Sequence, residues 1–97
     1  GHIGFNEPGS PVYSKTRLVT LENSTRIANS HEFGNISAVP RMAITMGIST
    51  IMKTERIILM AWGKPKAPVI QKSVEEKQYE EVPASCIQEH NNWTFIV

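Results

Sequence analysis

The first ten residues form a predicted loop, called the opening loop here, that is flanked by glycines. It contains a histidine, His2, and a glutamate, Glu7, five positions apart. An imidazole titrates near neutral pH, and a carboxylate beside it can fix its tautomer and raise its basicity. These two side chains are therefore a possible acid–base pair. The alternative is that both are solvated loop side chains, and the spacing alone leaves that choice open.

A second group of residues lies at 63–68, Gly-Lys-Pro-Lys-Ala-Pro, between a predicted strand and a predicted helix. The first turn of a helix offers free N–H groups and a partial positive charge, and a lysine there adds a full charge. This arrangement suits a phosphate group. Two exposed loop lysines are the alternative, and the pattern of a Walker loop is absent.

A third loop carries Arg26, His31 and Arg41, each of which is a possible ligand contact or a plain surface group. Other kinds of site have little support. The histidines lack the spacing of a zinc motif and Cys86 is the single cysteine, so we expect no metal. No Gly-x-Ser-x-Gly pattern is present.

Short strands and helices alternate along the chain and must position these groups. Apolar and β-branched runs predict strands at 17–21, 43–46, 56–62 and 92–97. Capping and spacing predict helices at 24–28, 49–55, 68–77 and 83–89, with a loop at 31–40. This order predicts an α/β protein with a parallel sheet, whose ligands bind at the carboxyl ends of strands. We expect the apolar run 57–62 to be buried on both faces, and Trp62 and Trp93 to lie in the core.

The composition limits the possible functions. The chain has 97 residues, enough for one domain at most, and a net charge of +1, which gives no reason to expect nucleic-acid binding. The longest apolar run is far shorter than the roughly 20 residues of a membrane span, and no signal segment is visible. The single cysteine favours a reducing compartment, so we expect a cytoplasmic protein. All nine acidic residues are glutamate, and neither end of the sequence looks like a natural terminus, so we expect a fragment.

The opening loop, Gly-His-Ile-Gly-Phe-Asn-Glu-Pro-Gly-Ser, closely resembles the signature of the glucosamine-6-phosphate deaminases, also called glucosamine-6-phosphate isomerases. Further segments resemble later parts of that family in the same order, at 14–17, 25–29, 39–50, 63–67 and 85–90. The resemblance covers nearly all of the chain, and several motifs in series make it specific.

The resemblance implies a three-layer α/β/α sandwich with a mostly parallel, Rossmann-like sheet. Residues 1–97 would be a partial single domain, the central and later part of that fold, without its N-terminal portion and its C-terminal end. The implied reaction converts glucosamine 6-phosphate and water to fructose 6-phosphate and ammonia. Proton transfers carry out this aldose–ketose isomerisation, so no cofactor is implied.

The resemblance also assigns roles in that reaction. His2 would open the sugar ring by exchanging a proton with the ring oxygen, and Glu7 would pair with His2 and tune it. The C2 proton is removed in this family by an aspartate from an earlier loop, and a second aspartate precedes the Gly-His pair. The chain contains no aspartate. We therefore expect the 97 residues by themselves to be inactive, and to aggregate or assemble through exposed strand edges.

Two further sites follow from the resemblance. Lys66 matches the family's phosphate-binding lysine, and His31 stands in place of a phosphate-binding arginine, although a neutral histidine is a poorer clamp. Some members are activated by N-acetylglucosamine 6-phosphate bound between subunits, and Ser10 and Arg17 match two positions of that site. Two other positions of the site have lost a hydroxyl and a cation, which argues against such activation here.

Two alternatives to a deaminase stay open. One is a 6-phosphogluconolactonase-like hydrolase of the same superfamily, although residues 5–8 favour the deaminase. The other is a non-catalytic regulator that binds a sugar phosphate, which the histidine at position 31 leaves possible. In each case we expect a small-molecule sugar phosphate as the ligand, no nucleic-acid or membrane partner, and a homo-oligomer.

Overall fold

Four short strands form two separate two-stranded sheets, in a computed structural model that describes residues 1–97. The strands are β1 (Arg17–Thr20), β2 (Met42–Thr45), β3 (Ile57–Met60) and β4 (Trp93–Ile96). All four lie within the predicted segments or within one residue of them, because β-branched and apolar runs bounded by turn residues are a strong strand signal. The mixed α/β content agrees with the predicted class.

The helices are α1 (Asn23–Ala28), α2 (Ser30–Phe33), α3 (Ile48–Met52) and α4 (Ala67–Glu75), with 3-10 turns at Ile36–Ala38, Lys64–Lys66 and Pro83–Glu89. The prediction of a plain loop at 31–40 is wrong, since part of α2 and one 3-10 turn lie there. The short helix predicted at 83–89 is present, and it is a 3-10 helix. Helix α3 ends before the predicted position, where Thr54 Oγ1 bonds the carbonyl of Ile51 at 2.8 Å.

Strands β1 and β2 are antiparallel, with Arg17 opposite Thr45 and Thr20 opposite Met42, which differs from the predicted parallel arrangement. The connection between them turns back on itself through α1, α2 and the 36–38 turn. Arg26 holds this return, because its Nη2 donates to the carbonyls of Ile36 and Val39, both at 3.1 Å. Strand β2 therefore runs beside β1 in the opposite direction.

Strands β3 and β4 are parallel, as predicted, with Ile57 opposite Trp93 and Met60 opposite Ile96. The crossover between them contains α4 and the 83–89 turn, as a parallel pair requires. The prediction that this strand region is buried on both faces is wrong: Ile57 is buried, but Met60 is 63% exposed. Trp62 is 80% exposed, so its predicted place in the core is wrong too.

The core joins the opening loop to α3, β3 and the 83–89 turn. Its buried members are Ile3, Ile48, Ile57, Ala84, Cys86 and Ile87, and Trp93 and Phe95 pack against them. Burying one isoleucine side chain contributes about 1.5–3 kcal/mol relative to leaving it in water. Because Ile3 is one of these residues, the core fixes the part of the opening loop between Gly1 and Gly4.

The longest helix, α4, has 9 residues, and no helix in the structure has the length and apolar character that a membrane span requires.

Candidate functional site

The opening loop is folded by a tight reversal between Ile3 and Asn6. These two residues form an isolated bridge, and the N–H of Asn6 donates to the carbonyl of Ile3 at 2.9 Å. Gly4 lies in the left-handed region with φ +54°, where a side chain is strained. The reversal is anchored to β2, because Phe5 N–H donates to Thr45 Oγ1 at 3.0 Å.

The Asn6 side chain ties the opening loop to strand β1 and to Met46, the residue that follows β2. It is fully buried, and its Nδ2 donates to the carbonyls of Ile3 at 2.9 Å and Met46 at 2.8 Å. Its Oδ1 accepts from Arg17 Nη1 at 2.9 Å. With its side-chain donors and acceptor in use, Asn6 serves the shape of the loop and leaves substrate chemistry to its neighbours.

His2 is exposed, and its Nδ1 lies 2.8 Å from the carbonyl oxygen of Gly4. A carbonyl can only accept, so Nδ1 must carry a proton in this contact. In the neutral ring the lone pair is then on Nε2, which has no hydrogen-bond partner. In this tautomer the neutral ring keeps the Nε2 lone pair for a proton exchange with a substrate oxygen.

Glu7 is buried, and its Oε1 accepts a hydrogen bond from Thr25 Oγ1 at 2.6 Å. The structure does not bring the Glu7 carboxylate within hydrogen-bond or ion-pair distance of His2. The two predicted members of the acid–base pair thus share one loop but have different partners. Ser10 fixes the backbone of Glu7, since its N–H and its Oγ both donate to the Glu7 carbonyl, at 3.0 and 2.7 Å.

A cavity of about 510 Å³, the His2–Lys66 cavity, lies between the opening loop, the carboxyl end of β3 and the first turns of α4. Its polar lining includes His2 and Lys66, and its apolar wall includes Met60, Trp62 and Val69. The volume falls in the range of small-molecule sites, and its place at a strand end is typical of α/β proteins. The structure thus brings together two side chains that are 64 positions apart in the sequence.

Lys66 ends the 3-10 turn Lys64–Lys66 and precedes α4, where no side chain caps the helix. It lines the same cavity as Gly1 and His2 of the opening loop.

The other predicted ligand residues lie elsewhere. His31 is exposed on α2, with Nε2 at 3.3 Å from Glu32 Oε1, and it does not line the cavity that holds Lys66. Arg26 is used in holding the connection between β1 and β2, and Arg41 is exposed. Arg17 donates within the chain, to Asn6 and to the carbonyl of Lys15.

Two residues of the site had no predicted role, Asn6 and Thr25. Each makes its contact through a side chain that reaches a distant part of the sequence: Asn6 to Met46, and Thr25 to Glu7. Nothing in the local pattern marks such contacts. The only signal is the chemistry of Asn and Thr, short polar side chains that bond nearby groups wherever a loop or helix end leaves them free.

The chain is similar to known glucosamine-6-phosphate deaminases over nearly its whole length. It is 51% identical over 96 residues to that of Geobacillus sp. (strain WCH70), a match that covers 99% of this chain and 38% of the relative. It is 45% identical over 97 residues to glucosamine-6-phosphate deaminase 1 of Bacillus subtilis (strain 168), covering 100% of this chain and 40% of the relative. No family model matches the chain.

A solved structure described as a monomeric glucosamine-6-phosphate deaminase superposes with a TM-score of 0.95 at 46% identity. The match covers 99% of this chain and 40% of the solved one. The resemblance inferred from the sequence is therefore confirmed, for a segment of about two fifths of the relatives' length.

Proposed function

We propose that the protein containing this chain is a glucosamine-6-phosphate deaminase, which converts glucosamine 6-phosphate and water to fructose 6-phosphate and ammonia. One observation carries the proposal beyond the similarity: His2 and Lys66 line the same cavity of about 510 Å³. A phosphorylated open-chain sugar needs a cation at one end and a proton-transfer group at the other. No cofactor is required for this isomerisation.

In this proposal His2 opens the sugar ring. Its Nε2 lone pair exchanges a proton with the ring oxygen, while the contact between Nδ1 and the Gly4 carbonyl keeps the ring in one tautomer and one orientation. Glu7 supplies a negative charge at the other end of the loop, which favours the protonated imidazole that forms during the exchange.

Lys66 binds the phosphate of the substrate in this proposal. It is exposed at the start of α4, so the lysine charge and the N-terminal end of the helix act in the same direction on an anion. His31 stands outside this cavity and beside Glu32, and a histidine lacks the five-donor fork of an arginine. We therefore assign His31 at most a secondary contact to the phosphate.

The remaining parts of the proposal concern the whole protein. The C2 proton needs a base that these 97 residues do not contain as aspartate, so we expect this segment alone to be inactive. We expect further strands to extend the parallel β3–β4 pair into a three-layer α/β/α sandwich. The exposed apolar side chains of Ile58, Met60 and Ile96 support that extension. A cytoplasmic location stays a prediction.

Regulation and assembly are separate proposals. Ser10 donates to the Glu7 carbonyl and Arg17 donates to Asn6 Oδ1, both in the opening loop, so we propose that these two predicted effector-site residues act on the loop first. Homo-oligomer formation is supported by Leu18 and Ile44, register partners that are 60% and 73% exposed. The solved neighbour is described as monomeric. Sedimentation of the full-length protein as a monomer would remove the oligomer from the proposal.

The test is ammonia release from glucosamine 6-phosphate by the full-length protein and its His2→Ala, Lys66→Ala and Lys64→Ala variants. Loss of a charge-assisted contact predicts that Lys66→Ala raises KM by roughly 10-fold to 100-fold. His2→Ala should lower kcat by roughly 100-fold or more, the usual contribution of acid–base catalysis. Lys64 is a matched control, because it is an exposed lysine in the same turn that does not line the cavity.

Each result has a definite meaning. Ammonia release that survives His2→Ala would keep the activity and remove the assignment of His2. No release by the unmodified protein, with the sugar phosphate still bound, would favour the regulator, an alternative that the histidine at position 31 leaves open. Hydrolysis of a phosphogluconolactone without ammonia release would favour the hydrolase alternative.

A further inference from the structure

We infer that Thr25 is a positioning residue that fixes the direction of the Glu7 carboxylate, on which the proposed action of Glu7 on His2 depends. The inference rests on the proposed function, because Glu7 acts there through His2. It starts from one contact: Thr25 Oγ1 donates to Glu7 Oε1 at 2.6 Å. Hydrogen bonds from a hydroxyl to an ionised carboxylate are usually this short, and they are stronger than bonds between neutral groups.

Both partners are withdrawn from water, since Thr25 is 7% exposed and Glu7 is 9% exposed. No lysine, arginine or histidine lies within ion-pair distance of the Glu7 carboxylate; the one ion pair of the chain joins His31 and Glu32. Thr25 is thus the only side chain that donates a hydrogen bond to this carboxylate. A buried carboxylate depends strongly on each donor that it has.

The contact leaves the two carboxylate oxygens in different states. Oε1 is occupied by Thr25, whereas Oε2 has no hydrogen-bond partner and is not sealed off from solvent. Rotation of the carboxylate would break the bond to Thr25. The threonine therefore fixes the direction in which the unpaired oxygen of the carboxylate points.

The Thr25 hydroxyl is not needed by its own helix. A threonine within a helix commonly bonds the carbonyl one turn earlier, but in α1 the hydroxyl crosses to Glu7 instead. The Thr25 carbonyl caps the end of α1 separately, by accepting from the side chain of Asn29 at 2.8 Å. Removal of the hydroxyl should therefore leave α1 intact.

The Glu7 backbone is also held independently, by the N–H and Oγ of Ser10. A change at Thr25 should consequently alter the direction of the carboxylate and leave the path of the opening loop unchanged. This separation makes the inference testable, since a loss of positioning and a loss of structure give different results.

The experiment compares Thr25→Val and Thr25→Ser in the full-length protein, by steady-state ammonia release from glucosamine 6-phosphate. Valine keeps the shape and removes the hydroxyl, so kcat should fall roughly 10-fold to 100-fold while KM changes less than about threefold. Serine restores the donor and should keep kcat within about threefold of the unmodified protein. Thr20→Val is the matched control, because Thr20 is exposed and its hydroxyl makes no hydrogen bond.

Three results would overturn the inference: an unchanged kcat in Thr25→Val, an equal loss in Thr25→Ser, or an additive loss when Thr25→Val is combined with Glu7→Gln. Positioning predicts that the valine change costs nothing further once the carboxylate is gone. If Thr25→Val does not fold, Thr25→Ala against Thr25→Ser decides in the same way. An unmodified protein that releases no ammonia would instead refute the proposed function, and this inference with it.

Discussion

The guanidinium of Arg17 donates from Nη1 to Oδ1 of Asn6 at 2.9 Å, and this bond joins strand β1 to the opening loop. Asn6 is fully buried, while Arg17 is half-buried. If the bond were broken, the Arg17 guanidinium could form hydrogen bonds with water instead. The buried Asn6 Oδ1 could not, and it would be left without a donor. The shape of the loop that carries His2 consequently depends on a residue of the first sheet.

Replacing Arg17 by methionine, which keeps the apolar stem, should lower the free energy of unfolding by about 1–3 kcal/mol, the usual cost of a buried acceptor without a donor. The measurement is urea denaturation of the full-length protein. Arg41→Met is the control, because Arg41 is exposed and its side chain makes no hydrogen bond, and its effect should stay within about 0.5 kcal/mol. Equal effects of the two changes would show that the bond to Asn6 contributes nothing.

Gly4→Ala should damage the site through the backbone. Gly4 has φ +54°, and an added Cβ would lie 2.9 Å from Thr45 Oγ1, the acceptor for Phe5 N–H. We expect a loss of about 1–3 kcal/mol in the free energy of unfolding, because strain and the contact add together. Activity should also fall, since the Gly4 carbonyl orients His2.

Gly34→Ala is the control for this change, because Gly34 has φ +88° but open space around the position of its Cβ. It should therefore show only the cost of the left-handed backbone, about 1–2 kcal/mol, with no loss of activity. If Gly34→Ala were as harmful to activity as Gly4→Ala, the contact with Thr45 would not be the cause.

An element of the fold could be predicted from the sequence where neighbouring residues determine it, and could not where distant residues do. The strand β3 and the helix α4 follow from an apolar run and from proline in a first turn, which neighbouring residues in the sequence already determine. The direction of β2 does not, because it depends on the bonds from Arg26 to carbonyls 10 and 13 positions away. The exposure of Trp62 depends on which other segments pack over it, and the residues around Trp62 do not indicate which segments those are.

The same distinction holds for the site. His2 and Lys66 each stand in a recognisable local pattern at a predicted loop, but only the structure shows that both line one cavity and that His31 does not. The donor to Glu7 was not predictable, because Thr25 lies 18 positions away on α1. A direct contact between His2 and Glu7 was expected from their spacing. Whether two side chains of one loop point toward each other cannot be determined from that spacing.

The thiol of Cys86 should be unreactive in the folded protein. Burial raises its pKa from 9.0 to about 11, so very little thiolate is present at pH 8. Iodoacetamide should label Cys86 slowly under native conditions and much faster in urea, as followed by mass spectrometry. Rapid native labelling would contradict the burial of this residue in the core.

The same pKa makes a prediction about stability. Between pH 9 and 11 the unfolded thiol loses its proton while the folded thiol keeps it, so the folded state binds more protons and stability falls as the pH rises. Lysines and tyrosines also titrate in this range, so the comparison is with Cys86→Ala, which should lose less stability over the same interval. Parallel curves for the two proteins would refute this contribution.

The carboxyl end of α4 is held by Gln88, whose Nε2 donates to the carbonyls of Ser73 and Glu76, the latter at 2.8 Å. The last carbonyls of a helix lack partners within it, so this side chain replaces water there. Gln88→Met should therefore expose the last turn of α4 and lower the free energy of unfolding by about 1 kcal/mol. Faster hydrogen exchange should be confined to that turn.

Gln71→Met provides the matched control on the same helix. Gln71 also makes a hydrogen bond, to Glu75 Oε2 at 2.9 Å, but that bond is on the exposed surface between residues one turn apart. Such pairs contribute only about 0.2–0.5 kcal/mol, so this variant should behave almost like the unmodified protein. Because Lys66 immediately precedes α4, fraying at the far end should leave KM unchanged. A rise in KM with Gln88→Met would mean that the whole helix shifts, and that Lys66 depends on both of its ends.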